Sequence, residues 1–126
     1  MKDKLINVLK KCETKQLASI FKNYMESKGI RKLDRRRKDN SISYLVAGEE
    51  TSWNRVECYY NNGSEKYSEE DLLIVLRKRS GYYLIVERNG VRAFEYDYEL
   101  KHYDEALLNE IYSDHKELFD SLFSME

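Results

Sequence analysis

Two histidines, two cysteines and two charged runs are the residues of this 126-residue chain whose chemistry could carry a function. His102 lies in "KHYDE" with Asp104 two positions on, a His-x-Asp spacing too common to define a metal site. His115 falls on the apolar stripe of the last periodic segment, where a hydrogen-bonded core role is the better reading than a base or ligand. Cys12 and Cys58 show no metal-ligand spacing and are too few for a disulfide scaffold. Asp71, Glu87 and Arg88 could be grouped as a nuclease-like carboxylate set, but the lysine typical of such a set is missing. No nucleophile elbow, glycine-rich phosphate loop or zinc-protease motif occurs. The residues therefore name no catalytic group, no cofactor and no metal, and an enzyme of unrecognised type is the third reading.

The stretch "IRKLDRRRKDN", residues 30–40, offers binding chemistry instead. Arg31, Lys32, Arg35, Arg36, Arg37 and Lys38 make it the densest cationic run in the chain. Guanidinium forks suit phosphate oxygens, and several such contacts give salt-dependent, sequence-tolerant nucleic-acid binding. If the run is helical, Arg31, Arg35 and Lys38 share one side. Asp34 and Asp39 interrupt the run and pair away part of its charge, which suits a plain solvated connector. Arg77, Lys78 and Arg79 form a second basic patch, and Trp53, Tyr59 and Tyr60 could supply stacking surfaces for unpaired bases.

The acidic stretch "EYDYELKHYDE" supports a different class. On a strand, Glu95, Asp97 and Glu99 share one face, with Tyr96 and Tyr98 on the other. Carboxylates beside tyrosines could engage a basic groove on a protein partner. The bland alternative is a solvated sheet face.

Charge is divided along the chain. Residues 1–40 carry 13 Lys/Arg against 5 Asp/Glu, while residues 41–126 carry 9 against 18, leaving a net charge of −1. Such a split hints at a charged partner, although the two poles could also neutralise each other within the fold. Eleven tyrosines and no proline fit the codon bias of a low-GC bacterium or one of its mobile elements. No apolar run approaches the ~20 residues that span a bilayer, and the N-terminus lacks a signal-peptide h-region, so a cytoplasmic location without membrane contact is expected.

The elements that must position these residues follow from periodicity. Residues 1–28 read as helical, with Thr14 able to cap a second segment and Gly29 suited to the position after the helix end. "SISYLVAG" and "WNRVECYY" alternate as a hairpin. "DLLIVLRKR" could open as a helix from Ser68, but it reads better as a buried strand because the next segment offers it an antiparallel neighbour. That segment turns at Asn89-Gly90, the pair suited to a type I′ turn, and predicts Glu87 opposite Arg92, Ile85 opposite Phe94 and Tyr83 opposite Tyr96. Residues 104–123 read as one amphipathic helix capped by Asp104. The expected fold is a single α+β domain over residues 1–126. Its mostly antiparallel five-stranded sheet occupies residues 41–99, residues 30–40 are a basic connector, and an N-terminal and a C-terminal helix flank the sheet on one face.

The leading functional expectation is a small non-catalytic interaction module that binds a protein partner through charge complementarity, of the inhibitor, adaptor or immunity type. One concrete version, resting on size and composition, is a phage-encoded inhibitor of a host defence nuclease of the anti-CRISPR kind. A nucleic-acid-binding module using Arg31–Lys38 with Arg77–Arg79 is the alternative. Oligomeric state carries no signature in the sequence.

Overall fold

A computed structural model of the chain describes residues 1–33, 41–48, 54–63, 70–79 and 81–125. It begins with two helices, α1 (Lys2–Lys11) and α2 (Thr14–Ser27). Seven strands follow: β1 (Arg31–Lys32), β2 (Ile42–Ala47), β3 (Arg55–Asn62), β4 (Leu72–Arg77), β5 (Tyr83–Arg88), β6 (Val91–Asp97) and β7 (Glu99–Tyr103). Helices α3 (Glu105–Asp114) and α4 (Lys116–Phe123) close the chain. The sheet order is β1-β2-β3-β4-β5-β6-β7, so each strand lies beside its sequence neighbour. The pairing is antiparallel from β2 onward, while β1 runs parallel to β2 with Arg31 beside Ser43.

The α+β class and the mostly antiparallel sheet agree with the sequence. The strand count of five and the sheet limits of 41–99 do not. The sheet reaches back to Arg31 within the supposed connector and forward through Tyr103. It gains β1 because Leu33 donates its backbone N–H to Tyr44 O at 2.9 Å and holds the chain against β2. It gains β7 because the chain reverses at Tyr98 rather than running on as one strand.

Local signals explain most element ends. The α1–α2 break falls at Cys12, and Glu13 rather than Thr14 caps α2, in a reciprocal capping box with Gln16. Gly29, at φ +71°, follows the α2 end as expected. Asn89 and Gly90 have φ +51° and +76°, the signs of a type I′ turn. Asp104 caps α3 by accepting from Leu107 N at 3.0 Å. Segment 71–79 forms a strand and not a helix, β4 over Leu72–Arg77, and β4 is the central strand.

Two expectations fail through tertiary effects. The single helix over 104–123 is two helices hinged at His115, whose φ −129° and ψ 41° are not helical. The β5–β6 ladder keeps Glu87 opposite Arg92 but then slips by one residue. Ala93 is the extra residue of a bulge, so Phe94 faces Val86, Glu95 faces Ile85 and Tyr96 faces Leu84. The slip sends Phe94 and Tyr96 to the helix side with Val86 and Leu84, and leaves Glu95 and Asp97 on the other side.

The main core lies between the helices and that side of the sheet. Phe21, Met25, Leu9, Leu118 and Phe119 from the helices meet Tyr44, Val56, Leu72, Ile74, Leu76 and Phe94 from the strands, all 2 % exposed or less. Full burial of each such side chain contributes roughly 1.5–3 kcal/mol. The opposite face, called here the open face, carries a smaller cluster of Leu33, Leu45 and Tyr59 with Ala47 and Leu73 beside it. The buried apolar residues of all four helices belong to the main core. Among the described residues, no helix is long and apolar enough to cross a membrane.

Candidate functional site

Strand register assembles the open face into rows of side chains. One row crosses five strands near the β6–β7 link. Arg55 pairs with Arg77, Arg77 with Tyr83, Tyr83 with Asp97, and Asp97 with Glu99. The next row is Glu57, Val75, Ile85, Glu95 and His102. The acidic residues singled out in the sequence, Glu95, Asp97 and Glu99, thus do share a face, although they occupy two strands. Tyr96 lies on the helix side, packed against the main core.

Tyr98 does something the sequence pattern does not announce. Asp97 pairs with Glu99, so Tyr98 alone forms the tip of the β6–β7 turn, at φ +63°. A side chain in that left-handed region costs about 1–2 kcal/mol, and glycine or asparagine would avoid most of it. Tyr98 N donates to Tyr82 O at 3.2 Å, and the ring lies over Gly81. A Cβ at Gly81 would stand 2.4 Å from the Tyr98 ring, so only glycine leaves the ring where it is. Tyr98 nevertheless remains 67 % exposed, with Tyr82 and Leu100 also exposed at this corner. The turn therefore holds an aromatic side chain out at the surface between two carboxylates.

Among the described residues, those of the two basic runs are not gathered into one surface. Arg31 and Lys32 are exposed on β1, level with Ser43 and Tyr44. Arg77 and Arg79 lie at the opposite end of the strands, about six residues or ~20 Å further along and three strands away. Arg35, Arg36, Arg37, Lys38 and Trp53 lie outside the described residues. Lys78 has structural work: its ammonium donates to Lys10 O and Cys12 O, both at 3.2 Å, neutralising the negative end of α1. The Arg77 guanidinium lies 4.5 Å from the Tyr83 ring centre. Tyr59 is buried on the open face, and the half-buried Tyr60 packs against the main core in a T-shaped contact with His115, so the two do not form a shared stacking platform.

A third cluster sits at the far end of the sheet, where His115 is 6 % exposed. Its Nδ1 lies 3.2 Å from the Tyr24 hydroxyl, and its Nε2 stands 3.5 Å from an Asp71 carboxylate oxygen. A carboxylate only accepts, so the proton belongs on Nε2, with Nδ1 accepting from Tyr24. The Nε2 contact is long, and among the described residues that atom has no closer hydrogen-bond partner. Arg88 completes the group, 3.6 Å from Asp71 and paired with Asp114. The facing His115 ring, and then Arg88, hold the Asp71 carboxyl below its ordinary pKa. Burial pushes the Tyr24 hydroxyl up, the reverse of what an activated phenol needs. Cys12 is buried too, its thiol pushed up to about 11 by desolvation, far from a reactive thiolate.

The carboxylate set imagined from the sequence is split accordingly. Asp71 and Arg88 meet in the His115 cluster, whereas Glu87 lies on the open face in a hydrogen bond with Arg92 at 2.7 Å. His102 stands on that face as well, its Nε2 2.9 Å from Arg92 O. Among the described residues, no three His, Cys, Asp or Glu side chains are grouped to hold a metal ion. No protein-family model, no curated protein and no solved structure matches the chain significantly.

Proposed function

We propose that this protein is a non-catalytic interaction module that binds a protein partner through charge complementarity, with the β6–β7 corner as its contact. The observation that carries the reading is Tyr98, a mostly exposed aromatic in a left-handed backbone conformation, flanked by Asp97 and Glu99. Backbone strain at an exposed side chain points to a use for that side chain beyond stability. Tyrosine anchors are over-represented among interface residues that dominate binding, because a rigid ring offers apolar area and a polar tip. The flanking carboxylates favour a cationic surface around the pocket that takes the ring. An inhibitor or immunity-type protein acts in this way, by covering a basic surface on its target.

The nucleic-acid alternative draws less support, because the described arginines of the two basic runs, Arg31, Arg77 and Arg79, stand at two ends of the sheet and the Arg77 end adjoins Asp97 and Glu99. The experiment is affinity capture from lysate of the native host with immobilised protein, run beside Tyr98→Gly and Asp97→Asn/Glu99→Gln. Glycine keeps the turn and removes only the ring. The expected result is one dominant partner, retained by the wild type and lost or strongly reduced by both variants. Equal capture by all three proteins would remove the corner from the reading.

A further inference from the structure

The row across the open face has an order that goes beyond a contact for a foreign partner. From β3 to β7 it reads Arg55, Arg77, Tyr83, Asp97, Glu99: two cations, a tyrosine at the centre, two anions. Neighbouring strands stand ~4.8 Å apart, so the row is ~19 Å long with its sign reversing at β5. Rotation by 180° about an axis running along β5 exchanges its two halves. A second copy laid face to face about that axis would set Arg77 over Asp97, Arg55 over Glu99, and Tyr83 over Tyr83. We infer that the open face is a self-complementary docking surface for a second copy of this chain.

Three features support that occupant. Arg77 and Asp97 have no ion-pair partner within 4 Å among the described residues, although each stands only one strand from the centre of the row; Arg77 is instead laid on the Tyr83 ring. By contrast, the outer charges of the row are engaged within the chain, Arg55 with Glu57 and Glu99 with Lys101, so Arg77 and Asp97 carry the complementarity. The carboxylates of the neighbouring rows are likewise neutralised. Arg92 holds Glu87 at 2.7 Å and Glu95 at 3.0 Å, which lowers the repulsion that two copies of those rows would otherwise meet. The half-buried Tyr83 on the central strand would meet its own copy on the axis, while Ile85 in the row below is already buried within the chain. A two-fold interface of this kind is isologous, and its charges match by symmetry rather than by coincidence. The net charge of −1 adds almost no long-range repulsion between copies.

The test uses the protein alone. Sedimentation equilibrium at low ionic strength should show a concentration-dependent dimer that weakens as salt rises past about 0.1 M, where exposed pairs are screened. Arg77→Glu and Asp97→Arg should each weaken dimerisation by at least about tenfold, since each places two like-charged contacts in the homodimer. Mixing the two variants should restore it, because the heterodimer pairs Glu with Arg at one contact and Asp97 with Arg77 at the other. Circular dichroism melts of each variant verify that both fold. A wild type that stays monomeric up to millimolar concentration at low salt overturns the inference, as does a dimer indifferent to either reversal or a mixture that stays monomeric. Tyr98→Gly separates this surface from the partner reading: it lies outside the row and should leave dimerisation unchanged.

Discussion

The two faces of the sheet are made by alternate residues of the same strands, yet they solve opposite problems. On the helix side, Ile74, Leu76, Val86 and Phe94 meet helices and are shut off from water. On the open side, their neighbours Val75 and Ile85 are 5 % exposed, but they share that face with Arg55, Arg77, Glu87, Arg92, Glu95 and Asp97. The first face needs shape, and the second needs charge order. A fold that buries one face fully against four helices is free to use the other as a display surface. The cations of the ordered row, Arg55 and Arg77, come from the acidic part of the chain, so its order is set by strand pairing and not by the charge split along the sequence.

The sharpest way to break this comparison is to truncate one residue on each face. Phe94→Ala should cost about 3–5 kcal/mol in urea unfolding, since a fully buried ring leaves a cavity that helices cannot fill. Val75→Ala, two strands away and on the opposite face, should cost no more than about half as much. Equal losses would mean that the open face carries as much packing as the helical one. Next in size, His115→Ala should destabilise by roughly 1–3 kcal/mol, because it strips Asp71 and Tyr24 of a buried partner at the α3–α4 hinge. Stability that rose instead would show the hinge to be strained by that ring.

The pH response gives a further contrast. Asp71 has its folded pKa depressed, so the unfolded chain binds its proton more readily and stability rises with pH. That contribution is complete above the ordinary aspartate value of ~3.9 and is lost as pH falls through the lower folded value. Acid titrations of the wild type and Asp71→Asn should diverge in that window; parallel curves would contradict the coupling of Asp71 to His115 and Arg88. The smallest expected effect is Lys78→Met, about 0.5–1 kcal/mol, from loss of the cation at the α1 C-terminus. A loss well above that range would mean that Lys78 carries more than the α1 end.

Features written in a few adjacent residues were legible in the sequence. Asn89-Gly90, Gly29 and Asp104 act through their own backbone needs, and each sits where those needs place it. What the sequence concealed is decided by distant partners. No glycine or proline marks the hinge at His115; Tyr24 and Asp71, remote in sequence, engage its side chain. Ala93 is an ordinary residue, and only the packing of Phe94 against the helices fixes it as the bulge. β7 is not legible because "ELKHY" is polar and mostly exposed at the sheet edge, so it lacks the apolar alternation that marks a strand. For the surface, the shared face of Glu95, Asp97 and Glu99 could be read from alternation. The neighbouring placement of Arg55, Arg77 and Tyr83 could not, because strand pairing alone creates it, and nothing local predicts a left-handed tyrosine at position 98.

The strand order, β1 through β7 in sequence, bears on how the chain reaches this state. Each strand from β3 onward finds its partner just behind it, so the sheet can grow hairpin by hairpin with short loop closures. The Asn89-Gly90 hairpin is the natural starting point, since its turn is favoured before any tertiary contact forms. The long-range closure is the meeting of the two chain ends, where α1 and α2 pack against α4 over the finished sheet. Helices α1 and α2 can complete that packing only once α4, Lys116–Phe123, is present. Folding of the helical face should therefore be the late, slow step, with the open face already in place.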